Sequence, residues 1–123
     1  MRWSEEEYQD YLRKLGRPSS TPAASVVDDD TEKDFLTKVR GFAKLYGWLT
    51  YHTHDSRRSD EGFPDLVLCN GLSLIFAELK TRTGKLSKSQ DTWITTLGHT
   101  QKVEVYLWRP ADLPAIIERL GKH

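Results

Sequence analysis

The chain has 123 residues, a formal net charge of zero and one cysteine. This is the length of a single domain with one hydrophobic core, the balanced charge excludes a global electrostatic attraction to nucleic acid, and one cysteine excludes an internal disulfide. No apolar run approaches the roughly 20 residues needed to span a bilayer, and the acidic N-terminus lacks the form of a signal peptide. We therefore expect a cytoplasmic protein with no membrane partner.

Residues 1–30 are predicted to form a short helix followed by an acidic linker. Ser4 and Glu7 have the spacing of a capping box, which marks the start of a helix. The apolar stripe of this helix consists of Tyr8, Leu12 and Leu15. A helix of about twelve residues is marginal alone, so we expect it to dock on its own domain, on a second subunit or on another protein. The linker over 16–30 ends in three aspartates, which we interpret as a solvated cluster that caps the next helix.

Residues 31–46 have the clearest helical pattern of the chain. Apolar residues recur there at i, i+4, i+7 and i+11, and Gly47 follows as a stop. Glu32 lies one turn before Phe35 on the same stripe, so we expect it to face the sheet rather than solvent. Two interpretations of Glu32 stay open. It is either a carboxylate on a buried face that is paired or bound to a metal, or a first-turn acid favoured by the helix dipole.

Residues 48–53 are rich in aromatic and β-branched residues and are predicted to form a strand. A polar loop follows over 54–62. Arg57 and Arg58 in this loop either grip the phosphates of a nucleic acid or belong to a solvated surface loop. The spacing of His52 on the strand and the next histidine is only a weak indication of a metal site, because no neighbouring residue completes a set of zinc ligands.

A β-hairpin over residues 62–80 organises the rest of the chain. Apolar runs at 66–69 and 72–77 flank Asn70 and Gly71, the dipeptide that best tolerates positive φ at both central positions of a tight turn. Counting back from this turn brings the outer ends of the two strands together.

Two carboxylates and an amine gather at that outer end. Asp65 precedes the first strand, while Glu78 and Lys80 close the second and point the same way because side chains alternate along a strand. Carboxylates of this kind hold a divalent cation such as Mg²⁺, which can acidify a water that attacks a phosphodiester. A lysine beside them can position or deprotonate that water, or neutralise charge on the phosphate. The alternative is a surface salt bridge between Glu78 and Lys80.

A basic turn and a helix follow the hairpin. Five basic residues stand against one acidic residue over 80–102, so a phosphate backbone would lie here. The predicted contacts to nucleic acid on this segment are Arg82, Lys85 and Lys88. Ser87 and Gln90 have capping-box spacing, and Gln90 is either only the cap partner or also a polar group beside the metal site.

The last elements are a strand over 102–108 and a helix over 113–120, separated by Pro110. Val103 and every second residue after it are apolar, whereas the residues between them are polar. This alternation is typical of a half-buried strand. The order after the linker is helix, three strands, helix, strand, helix. We therefore predict an α/β fold with a mixed central sheet flanked by helices.

These residues resemble a known family. Asp65 after a proline, Glu78-Leu79-Lys80 after a gap of twelve, and a preceding helix with Glu32 resemble the PD-(D/E)xK nuclease superfamily. More narrowly, residues 62–66 (GFPDL) and 86–90 (LSKSQ) are similar to its VRR-NUC branch, which includes small stand-alone proteins of phages and bacteria. The resemblance implies a restriction endonuclease-like core within a nuclease domain over 31–123, with the N-terminal extension outside it.

The resemblance also implies a DNA endonuclease that depends on Mg²⁺ or Mn²⁺. The implied metal ligands are Glu32, Asp65, Glu78 and the backbone carbonyl of Leu79. Lys80 would be the catalytic lysine and Gln90 a site residue. Because the stand-alone branch resembles Holliday-junction resolvases and tends to dimerise, a homodimer acting on branched DNA is implied. A non-catalytic DNA-binding or assembly module on the same fold is the alternative, since a fold does not determine function.

Overall fold

The computed structural model describes residues 30–53 and 60–122, so the predicted N-terminal helix lies outside the described residues. The strands are β1 (Leu49–His52), β2 (Leu66–Cys69), β3 (Leu74–Leu79) and β4 (Glu104–Trp108). The helices are α1 (Glu32–Leu45), α2 (Lys88–Gly98) and α3 (Leu113–Leu120), with a 3₁₀ turn at Pro110–Asp112 before α3. The predicted order of helix, three strands, helix, strand and helix is confirmed.

The four strands form one mixed sheet in the order β1-β2-β3-β4. The first three are antiparallel neighbours, whereas β4 lies parallel to β3. A parallel pair needs a crossover connection, and α2 provides it. Within the described ranges, no helix has the length and apolar character needed to cross a membrane.

One face of the sheet forms the hydrophobic core with α1 and α3. Paired residues on neighbouring strands share a face, so the rows Leu66–Ala77–Tyr106 and Leu68–Ile75–Glu104 point toward these helices. The largest fully buried apolar side chains of the two helices are Phe35, Val39, Phe42, Leu113, Ile116 and Leu120. Both predicted helical stripes therefore form the core.

The opposite face is covered over β3 and β4 by α2. Phe76, which points away from the core, meets the ring of Phe63 at 6.0 Å between centroids, and Phe63 meets Trp93 of α2 at 4.9 Å. Both contacts are edge-to-face. No side chain of α2 is fully buried, so this helix is a cover on the sheet rather than part of the main core.

The predicted tight turn at Asn70 and Gly71 is wrong in detail. Cys69 pairs with Leu74, so the turn has four residues and β3 begins at Leu74. Of the two residues predicted at the centre of the turn, Gly71 alone has a positive φ, of 90°. The Asn70 side chain instead accepts hydrogen bonds from the backbone N–H groups of Leu72 and Ser73. This is the Asx turn that asparagine favours.

The predicted solvated cap before α1 is also wrong for Asp30. Asp30 is buried and forms an ion pair with Lys38, which is buried as well. The N-cap of α1 is Thr31, whose Oγ1 accepts the backbone N–H of Asp34 at 3.1 Å. A buried pair of opposite charges thus fixes the point where the chain enters α1.

Candidate active site

The candidate site lies where the β2–β3 ladder ends. The last ladder pair is Leu66 with Ala77, so Asp65 and Glu78 stand next to each other immediately beyond it. The Asp65 side chain replaces the missing ladder bond, because its Oδ2 accepts the backbone N–H of Leu79 at 2.8 Å. The twelve residues between Asp65 and Glu78 form the two strands and the turn of the hairpin, and this length places the two carboxylates side by side.

The main chain at Asp65 is held from the β1 side as well. The backbone N–H of Thr53 donates to the Asp65 carbonyl at 2.8 Å, and the Thr53 hydroxyl donates to the Pro64 carbonyl at 2.6 Å. Pro64 has no N–H to offer a neighbouring strand, and only its carbonyl is used here. Asp65 is thus held by Thr53 on one side and by Leu79 on the other, without any ligand.

The segment before Asp65 is held against α2. Gly62 has a φ of +86°, and a Cβ built on it would lie 2.5 Å from the carbonyl carbon of Ser89 in the first turn of α2. Only glycine combines that backbone conformation with that approach. Phe63 then inserts between β3 and α2, so the segment that presents Asp65 is enclosed by the hairpin and this helix.

Glu78 is the most unusual group of the site. Its exposed fraction is 1%, and neither carboxylate oxygen accepts a hydrogen bond. The nearest cation is Lys80, with Nζ 3.5 Å from Oε2. Burial and then the negative charge of Asp65 raise the pKa of Glu78 to about 7, and the Lys80 charge opposes them. A buried carboxylate with both oxygens unbonded is costly, and a cation would remove that cost.

Glu32 approaches the same place from α1. The expectation that it faces away from solvent is wrong, because its side chain is exposed. It nevertheless lines a groove of about 480 Å³ together with His52, Asp65 and Leu79. Partial burial and the charge of Asp65 raise the pKa of Glu32, while Lys80 lowers it. Glu32 therefore belongs electrostatically to the site although solvent reaches it.

These donors fit a hard divalent cation. The two carboxylates at the hairpin end are oxygen ligands, and Glu78 has two buried oxygens without a hydrogen bond. In residues 30–53 and 60–122, no three His, Cys, Asp or Glu side chains lie close enough together to hold a metal. A cation would therefore keep several waters, as Mg²⁺ commonly does in proteins.

The remaining predicted site residues that the structure describes follow β3 along the chain, on the turn after it and at the start of α2. Lys80 continues β3, and its backbone N–H donates to the Trp108 carbonyl at 3.0 Å. Gln90 forms the predicted capping box, with Oε1 accepting the Ser87 N–H at 2.8 Å. Its role beside the metal site stays a prediction. Arg82, Lys85 and Lys88 on this segment are exposed. Arg57 and Arg58 lie outside the described residues.

Two residues near the site had no role in the sequence-based prediction of the site. His52 lines the groove with Glu32, and its pairing with Leu66, one residue from Asp65, is the signal that would have indicated this. Arg109 donates hydrogen bonds to backbone carbonyls of the turn that follows Lys80. Those contacts span 25 and 28 residues and leave no side-chain pattern in the sequence.

The chain is similar to known proteins in sequence and in fold. The family model of the VRR-NUC domain matches residues 3–110. A solved VRR_NUC domain protein is 17% identical, with a TM-score of 0.57 over 76% of this chain and 93% of that one. The Holliday junction resolvase Hjc of Archaeoglobus fulgidus is 24% identical, with a TM-score of 0.43 over 64% of this chain and 65% of that one.

No curated protein sequence matches the chain. At 17% identity the first structural likeness concerns the fold alone, and it agrees with the order of helices and strands described above. The family match is broader, because it spans the helix with Glu32, the hairpin with Asp65 and Glu78, and the strand that ends at Trp108. The chain therefore belongs to the VRR-NUC domain family of nucleases.

Proposed function

We propose that this protein is a Mg²⁺- or Mn²⁺-dependent endodeoxyribonuclease that hydrolyses phosphodiester bonds in branched DNA. The observation that carries the proposal is Glu78, a buried carboxylate whose oxygens accept no hydrogen bond and which stands beside Asp65 and Lys80. A purely structural carboxylate buried to this extent would accept hydrogen bonds on its oxygens or be replaced by an apolar residue. A bound divalent cation would offset the cost of burying this carboxylate.

The residues of the hairpin end would divide the chemistry among them. Asp65, Glu78 and the backbone carbonyl of Leu79 would hold the cation, with Glu32 contributing directly or through water. When bound, the cation supplies a water of lowered pKa and neutralises charge on the scissile phosphate. The Lys80 ammonium orients the attacking water or donates to a phosphate oxygen. The hydrogen bond from Leu79 holds Oδ2 of Asp65, which reduces the reorganisation needed there.

The DNA contacts we propose lie on the basic side of the site. Arg82, Lys85 and Lys88 are exposed on the turn after Lys80 and at the start of α2, where they would contact phosphates. We include Arg57 and Arg58 of the loop before Asp65 in the same surface. Branched DNA as substrate, a homodimer with two sites and action in the cytoplasm are further parts of the proposal, as is an N-terminal extension over 1–30 distinct from the nuclease domain over 31–123.

A cleavage assay tests the proposal. The substrates are an end-labelled four-way junction, a flap, a plain duplex and a single strand, each with Mn²⁺ or with EDTA. Wild type is compared with Lys80→Ala and with the control Lys44→Ala, an exposed lysine in the last turn of α1. We expect symmetric, metal-dependent nicking of the junction by wild type and Lys44→Ala that Lys80→Ala loses.

Other outcomes separate the parts of the proposal. Equal cutting by Lys80→Ala would show that the site assignment is wrong. Preference for a flap or duplex would retain the nuclease and reject the branched substrate. No cutting of any substrate, together with no effect of Mn²⁺ on the melting temperature, would favour the non-catalytic DNA-binding module.

A further inference from the structure

Arg109, immediately after β4, encloses the turn that follows Lys80. Its Nη1 donates to the carbonyls of Thr81 and Gly84, both at 2.7 Å, and lies 3.4 Å from that of Arg82. Guanidinium groups have several donors in a rigid plane, so one side chain can bind several carbonyls that converge. The turn over 81–84 is therefore wrapped around the end of the Arg109 side chain.

The same turn packs against the stem of Lys80. A Cβ built on Gly84 would lie 3.4 Å from Cδ of Lys80 and 3.1 Å from Oγ1 of Thr81. The side of Gly84 on which a Cβ would stand therefore faces the aliphatic part of the lysine. Thr81 closes the turn by accepting the Gly84 N–H on Oγ1 at 3.1 Å. A lysine side chain has many rotamers when it is free, and the nearby turn at Gly84 limits those that Lys80 can adopt.

Arg109 is itself held at its base. Its backbone N–H donates to Oδ2 of Asp112 at 2.9 Å, and the preceding residue, Trp108, accepts the backbone N–H of Lys80. In the parts of the chain that the structure describes, no carboxylate forms a salt bridge with the Arg109 guanidinium. Its donors are instead directed at the turn, so the end of β4 holds both the main chain of Lys80 and the turn over its side chain.

We propose that Arg109 is a positioning residue for the proposed nuclease, which acts through the turn over 81–84 to hold the Lys80 ammonium toward Glu78 and the substrate phosphate. The inference rests on the proposed function for its catalytic consequence. Its structural part, the placement of Gly84 beside the Lys80 stem, exists without any substrate. The two parts are therefore testable separately.

The test compares Arg109→Met and Arg109→Lys with a matched control, Arg119→Met. Arg119 is also a half-buried arginine with several hydrogen bonds, but it pairs with Glu104 and lies over Trp48, away from the turn. The first readout is kcat and KM for the preferred DNA, measured at a temperature below the melting temperature of every variant. The second is the nuclear Overhauser effect between Hα of Gly84 and Hδ of Lys80 in the metal-free protein.

We expect Arg109→Met to lower kcat by about tenfold to a hundredfold, as misplacement of a catalytic group does, with KM within about twofold. It should also lose the Gly84–Lys80 Overhauser effect. Arg109→Lys, which keeps the charge without the planar fork, should lower kcat by a smaller factor. Arg119→Met should lower the melting temperature while both readouts stay at their wild-type values.

Several outcomes would overturn the inference. A kcat of Arg109→Met within about twofold of wild type would do so, as would a retained Overhauser effect or an equal loss of kcat in Arg119→Met. If Arg109→Met does not fold, a wild-type kcat and Overhauser effect in Arg109→Lys would have the same meaning. If wild type cuts no DNA, the proposed function fails, and the Overhauser effect alone then decides whether Arg109 positions Lys80.

Discussion

The Asp65 carboxylate accepts the backbone N–H of Leu79 at 2.8 Å, which links a site carboxylate to the main chain of the opposite strand. Leu79 is buried, with an exposed fraction of 1%, so this N–H has no access to water. Asp65 therefore has two roles that different substitutions separate. It completes the hairpin, and it contributes negative charge at the proposed metal site.

Replacement of Asp65 should separate charge from hydrogen bonding. Asp65→Asn keeps an acceptor for Leu79, so its unfolding free energy should stay within about 1 kcal/mol of wild type. Asp65→Ala leaves a buried N–H without a partner and should cost about 1–3 kcal/mol. Both should lower cleavage at least about a hundredfold. Urea unfolding and the junction assay measure the two effects. Rapid cleavage by Asp65→Asn would show that its charge is not needed.

The stability of the metal-free protein should fall as pH rises across the titration of Glu78. Its pKa is raised from 4.5 to about 7, so between these values the native state binds more protons than the unfolded chain. The shift amounts to roughly 3 kcal/mol in favour of the protonated form. This stabilisation is complete below pH 4.5 and is lost as pH rises to about 7.

Glu78→Gln supplies the reference for that measurement. It has no charge to lose, so the difference in unfolding free energy between wild type and Glu78→Gln should shrink or reverse as pH rises, with EDTA present throughout. Saturating Mn²⁺ should restore the stability of wild type at pH 7.5 and leave Glu78→Gln largely unchanged. Parallel pH profiles for the two proteins would show that Glu78 is not the group responsible.

Gly62 and Gly71 form a matched pair for testing the contact with α2. Their φ values are 86° and 90°, but a Cβ on Gly62 meets Ser89 at 2.5 Å whereas one on Gly71 meets nothing within 4 Å. Gly71→Ala should therefore cost about 1–2 kcal/mol for the left-handed conformation alone. Gly62→Ala should cost about 1–3 kcal/mol more, from the added overlap. Equal costs by urea unfolding would mean that the segment before Asp65 can move away from α2.

The basic side of the site should determine how salt affects DNA binding. Lys85→Gln and Lys88→Gln should each reduce the slope of log affinity against log salt by about one, because each removes one phosphate contact. Lys44→Gln is the control at the far end of α1. Fluorescence anisotropy with labelled DNA in EDTA, over a series of salt concentrations, gives the slopes. Unchanged slopes in the first two variants would place the DNA elsewhere.

The fold and the hairpin end were predictable because they depend on short-range rules. Apolar periodicity identified the strands and helices, and strand alternation together with hairpin pairing brought Asp65 and Glu78 to the same end of the hairpin. The observed register differs by two residues from that of the predicted turn, and it is this register that places the two residues side by side. Both rules act over a few residues and are insensitive to the rest of the structure. The same reasoning placed Lys80 on the Glu78 side of β3, within ion-pair distance.

The errors arose where geometry depends on details that periodicity does not encode. Glu32 lies three residues before Phe35, which is 300° around a helix, so it falls at the boundary of the buried stripe rather than within it. Asn70 can either enter a tight hairpin turn or accept backbone N–H groups on its side chain, and the longer turn was formed. Arg109 binds backbone carbonyls, which have no sequence signature at all.

The turn between β2 and β3 also gives the molecule an attachment point. It lies at the end of the hairpin opposite Asp65, roughly 17 Å away at about 3.4 Å per residue, and Leu72 on it has an exposed fraction of 81%. The ladder from Cys69–Leu74 to Leu66–Ala77 fixes the strands independently of the side chain at position 72. Cys69 is a free, half-buried thiol nearby, so the label is placed by Leu72→Cys in a chain that also carries Cys69→Ser. Such a fluorophore would follow rotation and assembly of the protein without touching the candidate site at the other end.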